Sequence, residues 1–277
     1  MKARSGVSAV GFAGLAGLAS ASLAGAAEIT AGDLALLAGH DVVFLGEVHD
    51  NAVHHANQAL AVALLQPRAL VFEMLTPEQA ARITPDLRGD AVALGAALGW
   101  EASGWPDFAM YSPIFAAAPG AAVFGGDVPR RAIQQSIEQG AAAAFGAGAG
   151  NFGLQTALTA PDQARREAEQ AEAHCGALPV AILPGMVEAQ RLRDAVLARA
   201  VVAALDRTPG PVVVITGNGH ARTDRGAAAM LAAAATWLDM VSVGQLEADP
   251  GSGAPFDLWI VTDPAPRDDP CARFTSE

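Results

Sequence analysis

The chain has 277 residues, with 17 basic against 29 acidic side chains, a net charge of −12 and hydrophobic residues at 52%. Such an acidic balance argues against nucleic acid or an anionic membrane surface as the main partner, although a local basic pocket for a small ligand can exist on an acidic protein. Its two cysteines, Cys175 and Cys271, are too far apart for a CxxC metal or redox motif; an oxidising compartment would favour pairing them over leaving two buried thiols.

The first residues combine a short basic start (Lys2, Arg4), an apolar and small-residue stretch from Val7 to Leu23, and small residues at Ala24 and Ala26. This pattern predicts a secretory signal peptide over residues 1–26, cut near Ala26 or Ala27. The stretch is broken by Ser and Gly and is shorter than the roughly 20 strongly apolar residues of a spanning helix, so cleavage is expected rather than anchoring. No Cys sits at the cut to carry a lipid. The expected product is periplasmic or secreted, has no membrane span, and comprises residues 27–277, enough for one large α/β domain.

Four apolar runs follow, each closed by polar residues: Asp41 to Glu47, Ala69 to Glu73, Ala121 to Asp127 and Pro211 to Gly217. Runs of this length match strands buried on both faces. Helical segments alternate with them at His54 to Leu65, Val128 to Gln139, Pro161 to Ala173 and Pro184 to Leu205. The alternation predicts a single α/β domain with a mainly parallel sheet flanked by helices. Gly89 to Phe115 reads as a helical excursion off the sheet. The Ala/Gly-rich segment from Ala141 to Gly150 is either a flexible connection or part of a small helical insertion. Two further strands, Asp239 to Leu246 and Phe256 to Thr262, are expected to complete the sheet as an edge hairpin.

The chemistry gathers where strands end. Glu47-Val48-His49, Glu73-Met74, Asp127-Val128-Pro129-Arg130-Arg131 and Gly217-Asn218-Gly219-His220 each follow an apolar run. In an open parallel sheet, ligands bind beyond the carboxyl ends of the strands. A lone Glu there is commonly a cap and a lone His a surface residue. Two carboxylates and two imidazoles converging are costly to bury unless they bind something or one another. Glu47 and His49, two apart, can share a face, and the Gly217-Asn218-Gly219 run suggests a sharp turn with positive φ. The set suits either a metal or water site built from Glu and His, or an iron cofactor whose carboxylates meet Arg and His. His54 and His55 read as a solvated pair, one pointing toward the strand ends. Tyr111, the only tyrosine, lies among Trp100, Trp105, Phe108 and Phe115. That cluster reads either as the packing face of the excursion or as the wall of a flat ligand with a phenolate for iron.

The segments LGEVHDN (Leu45 to Asn51), VFEML (Val71 to Leu75), GWPDFAMYSPIF (Gly104 to Phe115), GGDVPRR (Gly125 to Arg131), MVEAQRLRDAVLA (Met186 to Ala198) and ITGNGHARTDRG (Ile215 to Gly226) together resemble the ChaN-like haem-binding family of the Tiki and erythromycin-esterase group. The resemblance implies haem as cofactor, a role in haem or iron uptake outside the cytoplasm, and a homodimer with haem at its interface. It implies a haem site drawn from Glu47, His49, Glu73, Tyr111, Arg130, Arg131 and His220, with Tyr111 on the iron, or His49 or His220 in its place, and the arginines near the propionates. The alternative is a metal-dependent hydrolase in which Glu47, His49, Glu73 and His220 hold a divalent metal or activate water. Haem carriage is the preferred reading. Intact mass of exported material is expected to show a chain starting near Ala27 or Glu28; retention of Met1 would remove the leader assignment.

Overall fold

The computed structural model describes residues 26–251, 253–269, 271 and 272. The leader expected over residues 1–26 thus lies, except for Ala26, outside the described residues. Seven strands are described: β1 (Ala27–Glu28), β2 (Val42–Glu47), β3 (Ala69–Phe72), β4 (Ala122–Gly125), β5 (Val212–Gly217), β6 (Met240–Leu246) and β7 (Leu258–Val261). They form one sheet in the order β1-β7-β6-β2-β5-β3-β4, every pair of neighbours parallel.

Every residue of β2, β3 and β5 is buried, because these central strands are covered on both faces. Their side chains alternate between two cores, as a period of two requires. Val42, Phe44, Val71, Val212 and Val214 face one core, and Val43, Leu45, Leu70, Phe72, Val213 and Ile215 face the other.

Among the described residues, ten α-helices cross between or beyond the strands. On one face lie α1 (Ala52–Leu65), the single turn α2 (Pro77–Ala80), and the excursion α3 (Ala91–Leu98) and α4 (Phe108–Ala117), which pack Leu94, Leu98, Tyr111, Ile114 and Phe115 under β2 and β3. On the other lie α5 (Arg130–Gln139), α6 (Ala141–Phe145), α7 (Ala160–Ala173), the long α8 (Leu183–Arg207), the turn α9 (Asn218–Ala221) and α10 (Gly226–Ala234). Here Leu192, Leu197, Val201 and Leu231 cover the sheet. The Ala/Gly-rich segment is a small helical insertion, α6 plus a 3-10 turn (Ala149–Phe152), and it is anchored by Phe145 and Phe152, whose rings lie 5.5 Å apart.

One topological expectation is corrected. β6 and β7 pair in parallel, Val243 opposite Leu258 through Leu246 opposite Val261, and do not form a hairpin. The physical reason is reach: residues 247–257, at about 3.3–3.6 Å per residue, are long enough to run back along the sheet before β7 starts. Asp257 then accepts the Ser242 N–H at 2.8 Å and sets that start.

Cys175 and Cys271 form a disulfide with their Cα atoms 5.5 Å apart. It ties the C-terminal tail to the residue that follows His174, the C-cap of α7. Replacing both cysteines by Ser is expected to lower the unfolding free energy by about 2–4 kcal/mol. Denaturant unfolding under non-reducing conditions checks this, and an unchanged midpoint would contradict it.

Candidate functional site

The strand ends of β2, β3 and β5 converge, and at their junction three acids and three imidazoles alternate. Glu47, the last residue of β2, is 2% exposed. Its Oε1 accepts from His49 Nδ1 at 2.7 Å and from the Tyr111 hydroxyl at 2.9 Å. Its Oε2 accepts from Gln58 Nε2 at 2.6 Å and lies 3.4 Å from His55 Nδ1. His49 Nε2 is 3.9 Å from Glu73 Oε1, and the same oxygen is 3.3 Å from His220 Nε2. Behind His220, Asp194 on α8 lies 2.6 Å from its Nδ1. A continuous chain therefore runs His55, Glu47, His49, Glu73, His220, Asp194.

Local structure holds each member. Glu73 Oε2 takes the Thr216 hydroxyl and the Gly217 N–H, both at 2.7 Å, so β5 pins the carboxylate of the neighbouring strand. Gly217 is needed for space: a Cβ there would lie 2.7 Å from His49 Nε2. The positive φ expected at Gly217, Asn218 and Gly219 is corrected, since Gly217 has φ −63° and Asn218–Ala221 form a helical turn. Asn218 braces the junction, donating to the Gln245 carbonyl at 2.6 Å and accepting from the Gln245 N–H at 3.0 Å.

Charge follows from these contacts. Burial alone would push His220 down, but Glu73 and Asp194 on either side outweigh it and hold the imidazole up at about 10. Burial would likewise raise Glu73, yet His220, His49 and the Gly217 N–H hold it well below the usual carboxylate range. His49 is raised because its hydrogen bond to Glu47 and the nearby Glu73 outweigh its desolvation. The Tyr111 phenol is pushed far up by burial and by Glu47, which keeps it a protonated donor.

A cavity of about 540 Å³ opens on this chain, with His49, Glu73, Trp105, His174, Arg193 and His220 in its wall. The Trp105 ring stands 4.9 Å from that of His49. The same tryptophan belongs to a neighbouring apolar groove of about 790 Å³ between α3 and α4, which Trp100 and Phe108 also line.

Of the residues expected at the site, Glu47, His49, Glu73 and His220 come together, Glu47 as the buried support beneath His49. Tyr111 lies under the cavity with 0% exposure, its hydroxyl given to Glu47. Arg130 and Arg131 are exposed at the start of α5 and are absent from the cavity wall; the guanidinium there is Arg193. His54 and His55 are buried, not solvated, because α1 packs directly on the strand ends. His54 Nδ1 accepts the Val48 N–H at 2.9 Å, and burial lowers this ring to about 4. His55 Nε2 donates to the His49 carbonyl at 2.8 Å.

Sequence reasoning missed Gln58, Thr216, His174, Gln190, Arg193 and Asp194. Asp194 had a signal: an acid amid apolar positions of a long helix, four residues after Gln190, asks for a buried partner. Among the described residues no group of three His, Cys, Asp or Glu side chains is placed to hold a metal ion. The divalent-metal alternative therefore finds no ligand set in this geometry. The carboxylates are engaged singly, by imidazoles and neutral donors.

The chain has recognisable relatives. The model described as "Haem-binding uptake, Tiki superfamily, ChaN" matches residues 34–231. Among solved structures, ChaN of Campylobacter jejuni with cofacial haem is similar in fold, with TM-score 0.62 and 18% identity over 81% of this chain and 88% of that one. The type III effector HopBA1 matches over the same shares at 12% identity and TM-score 0.46. No curated protein matches the chain in sequence.

The two extreme histidines set a pH profile. His220, raised from 6.5 to about 10, contributes stability that is complete below 6.5 and is lost as pH rises through 10. His54, lowered from 6.5 to about 4, contributes stability that is complete above 6.5 and is lost as pH falls through 4. Urea unfolding across pH is expected to be hardest near neutrality. The alkaline decline should flatten in His220→Gln; an unchanged alkaline limb would show that His220 gains no proton affinity on folding.

Proposed function

The chain belongs to the ChaN haem-binding uptake family of the Tiki superfamily, and on that premise we propose that it is an exported haem-binding protein serving haem or iron uptake. The leader pattern of residues 1–26 and the Cys175–Cys271 disulfide support export. Among the described residues no helix is long and apolar enough to cross a membrane.

The observation that carries the haem reading is a histidine presented for coordination. His174 lines the cavity, and its Nδ1 donates to the Gln170 carbonyl at 2.8 Å, which leaves the lone pair on Nε2. An imidazole whose other nitrogen is given to a carbonyl is the usual form of a metal-ligating histidine. The other candidates are less free. His220 has both ring nitrogens beside carboxylates, His49 stands between Glu47 and Glu73, and Tyr111 is beneath the floor.

The remaining wall fits the same group. Arg193 supplies a guanidinium for a propionate. Trp105 and the groove that continues past it supply an apolar face for a planar ring. When bound, haem would supply the iron. The chain's own residues ligate, neutralise and cover it, and the Glu47-to-Asp194 chain keeps the floor rigid. A homodimer belongs to the proposal, with a second copy covering the exposed apolar groove, where Val92 is 84% exposed.

Haem titration of the exported protein is expected to give a saturable Soret shift. His174→Ala should abolish or recast that spectrum, Arg193→Ala should weaken binding about tenfold, equivalent to about 1.4 kcal/mol, and Tyr111→Phe should leave the band in place. A Soret shift lost in Tyr111→Phe and kept in His174→Ala would return the iron to the phenol. No saturable shift at all would overturn the haem reading.

A further inference from the structure

A second polar hollow, of about 400 Å³, lies between α7, the first half of α8 and the loop after α9. Arg166, Arg222 and Arg225 line it with Glu169, Gln190 and Asp194. Its carboxylates are already engaged: Glu169 takes Arg225 Nη2 at 2.7 Å, and Asp194 holds His220 Nδ1 at 2.6 Å. Its guanidinium groups keep donors in reserve. Arg166 reaches Asp162 through Nη2 at 3.1 Å, yet its Nε is buried with no hydrogen-bond partner, and Arg225 Nη1 is in the same condition. Arg222 sits bidentate on Asp224 at 2.7 and 2.9 Å and adds a third guanidinium to the wall.

Buried donors on charged groups are almost always satisfied; these two belong to arginines that line one hollow, and an acceptor entering it would meet them by turning either guanidinium toward it. Planar guanidinium forks match the oxygens of a carboxylate or a phosphate. We propose that this hollow is an oxyanion site that takes one carboxylate or phosphate group. Gln190 lines both this hollow and the His49 cavity. The oxyanion therefore has two sources, a free small anion or the acidic arm of a ligand seated next door. The site itself stands independently of the haem reading.

Calorimetric titration of the disulfide-intact chain with inorganic phosphate and with succinate, at constant ionic strength, tests it. Saturable binding is expected, weakened at least tenfold in Arg225→Lys and in Arg166→Lys. Lysine keeps the charge that faces Glu169 or Asp162 but not the unsatisfied nitrogen, and thermal melts of both variants separate lost binding from lost folding. Repeating the titration with haem or its dimethyl ester present distinguishes the sources. Displacement of phosphate by haem but not by the ester identifies the propionate, and binding unaffected by either identifies a free anion. If phosphate and succinate fail to bind saturably and haem and its ester bind alike, the hollow holds water and the proposal is overturned. Equal anion binding in wild type and both lysine variants overturns it as well. Failure of haem binding alone would leave the phosphate result decisive.

Discussion

Three carboxylates, Glu47, Glu73 and Asp194, are buried at the mouth of an apolar sheet, and the architecture around them answers that constraint. An ionised carboxylate removed from water costs several kcal/mol unless paired and hydrogen-bonded. Here each acid meets an imidazole, and two of them also meet neutral donors: Gln58 and Tyr111 for Glu47, Thr216 and the Gly217 amide for Glu73. Removing one partner would strand the next, so the chain behaves as a unit. The parallel register makes this geometry available, since β2 and β5 run side by side to Glu47 and Gly217.

Much of this was readable from the residues. Uninterrupted β-branched runs announced buried parallel strands, and acids and histidines placed immediately after them announced convergence, because strand ends in such a sheet share one edge. The helical contribution was not readable in the same way. Whether Gln58, Gln190 or Asp194 faces the junction depends on helix rotation and on which strand each helix crosses, and neither is encoded in spacing along one segment. Arg130 and Arg131 show the converse: they follow a strand directly, yet they open α5 and turn outward. The edge hairpin failed for a related reason, since a linker of that length permits either sense of pairing.

The excursion between α2 and β4 serves two purposes. Its inner face carries Tyr111, whose ring packs 4.2 Å from that of His55 and whose hydroxyl completes the coordination of Glu47. Its outer end carries Trp105, which reaches the cavity and touches the ring of His49. Trp100, Tyr111 and Phe115 thus pack in the core under the sheet, while the Trp105 ring stands in the cavity wall.

The uniform strand direction also has a practical side. All seven strands point the same way, but their starts are staggered: Ala27 lies opposite Leu258, Leu258 opposite Val243 and Val243 opposite Leu45, so β1 begins level with the end of β2 that carries Glu47. A fluorophore, affinity handle or surface linker joined ahead of Ala27 would therefore sit toward the cavity end of the sheet, separated from β2 only sideways, by β7 and β6. The loops that enter β2 and β5, ahead of Val42 and Val212, lie at the opposite end, and attachment there would leave the cavity facing the solution.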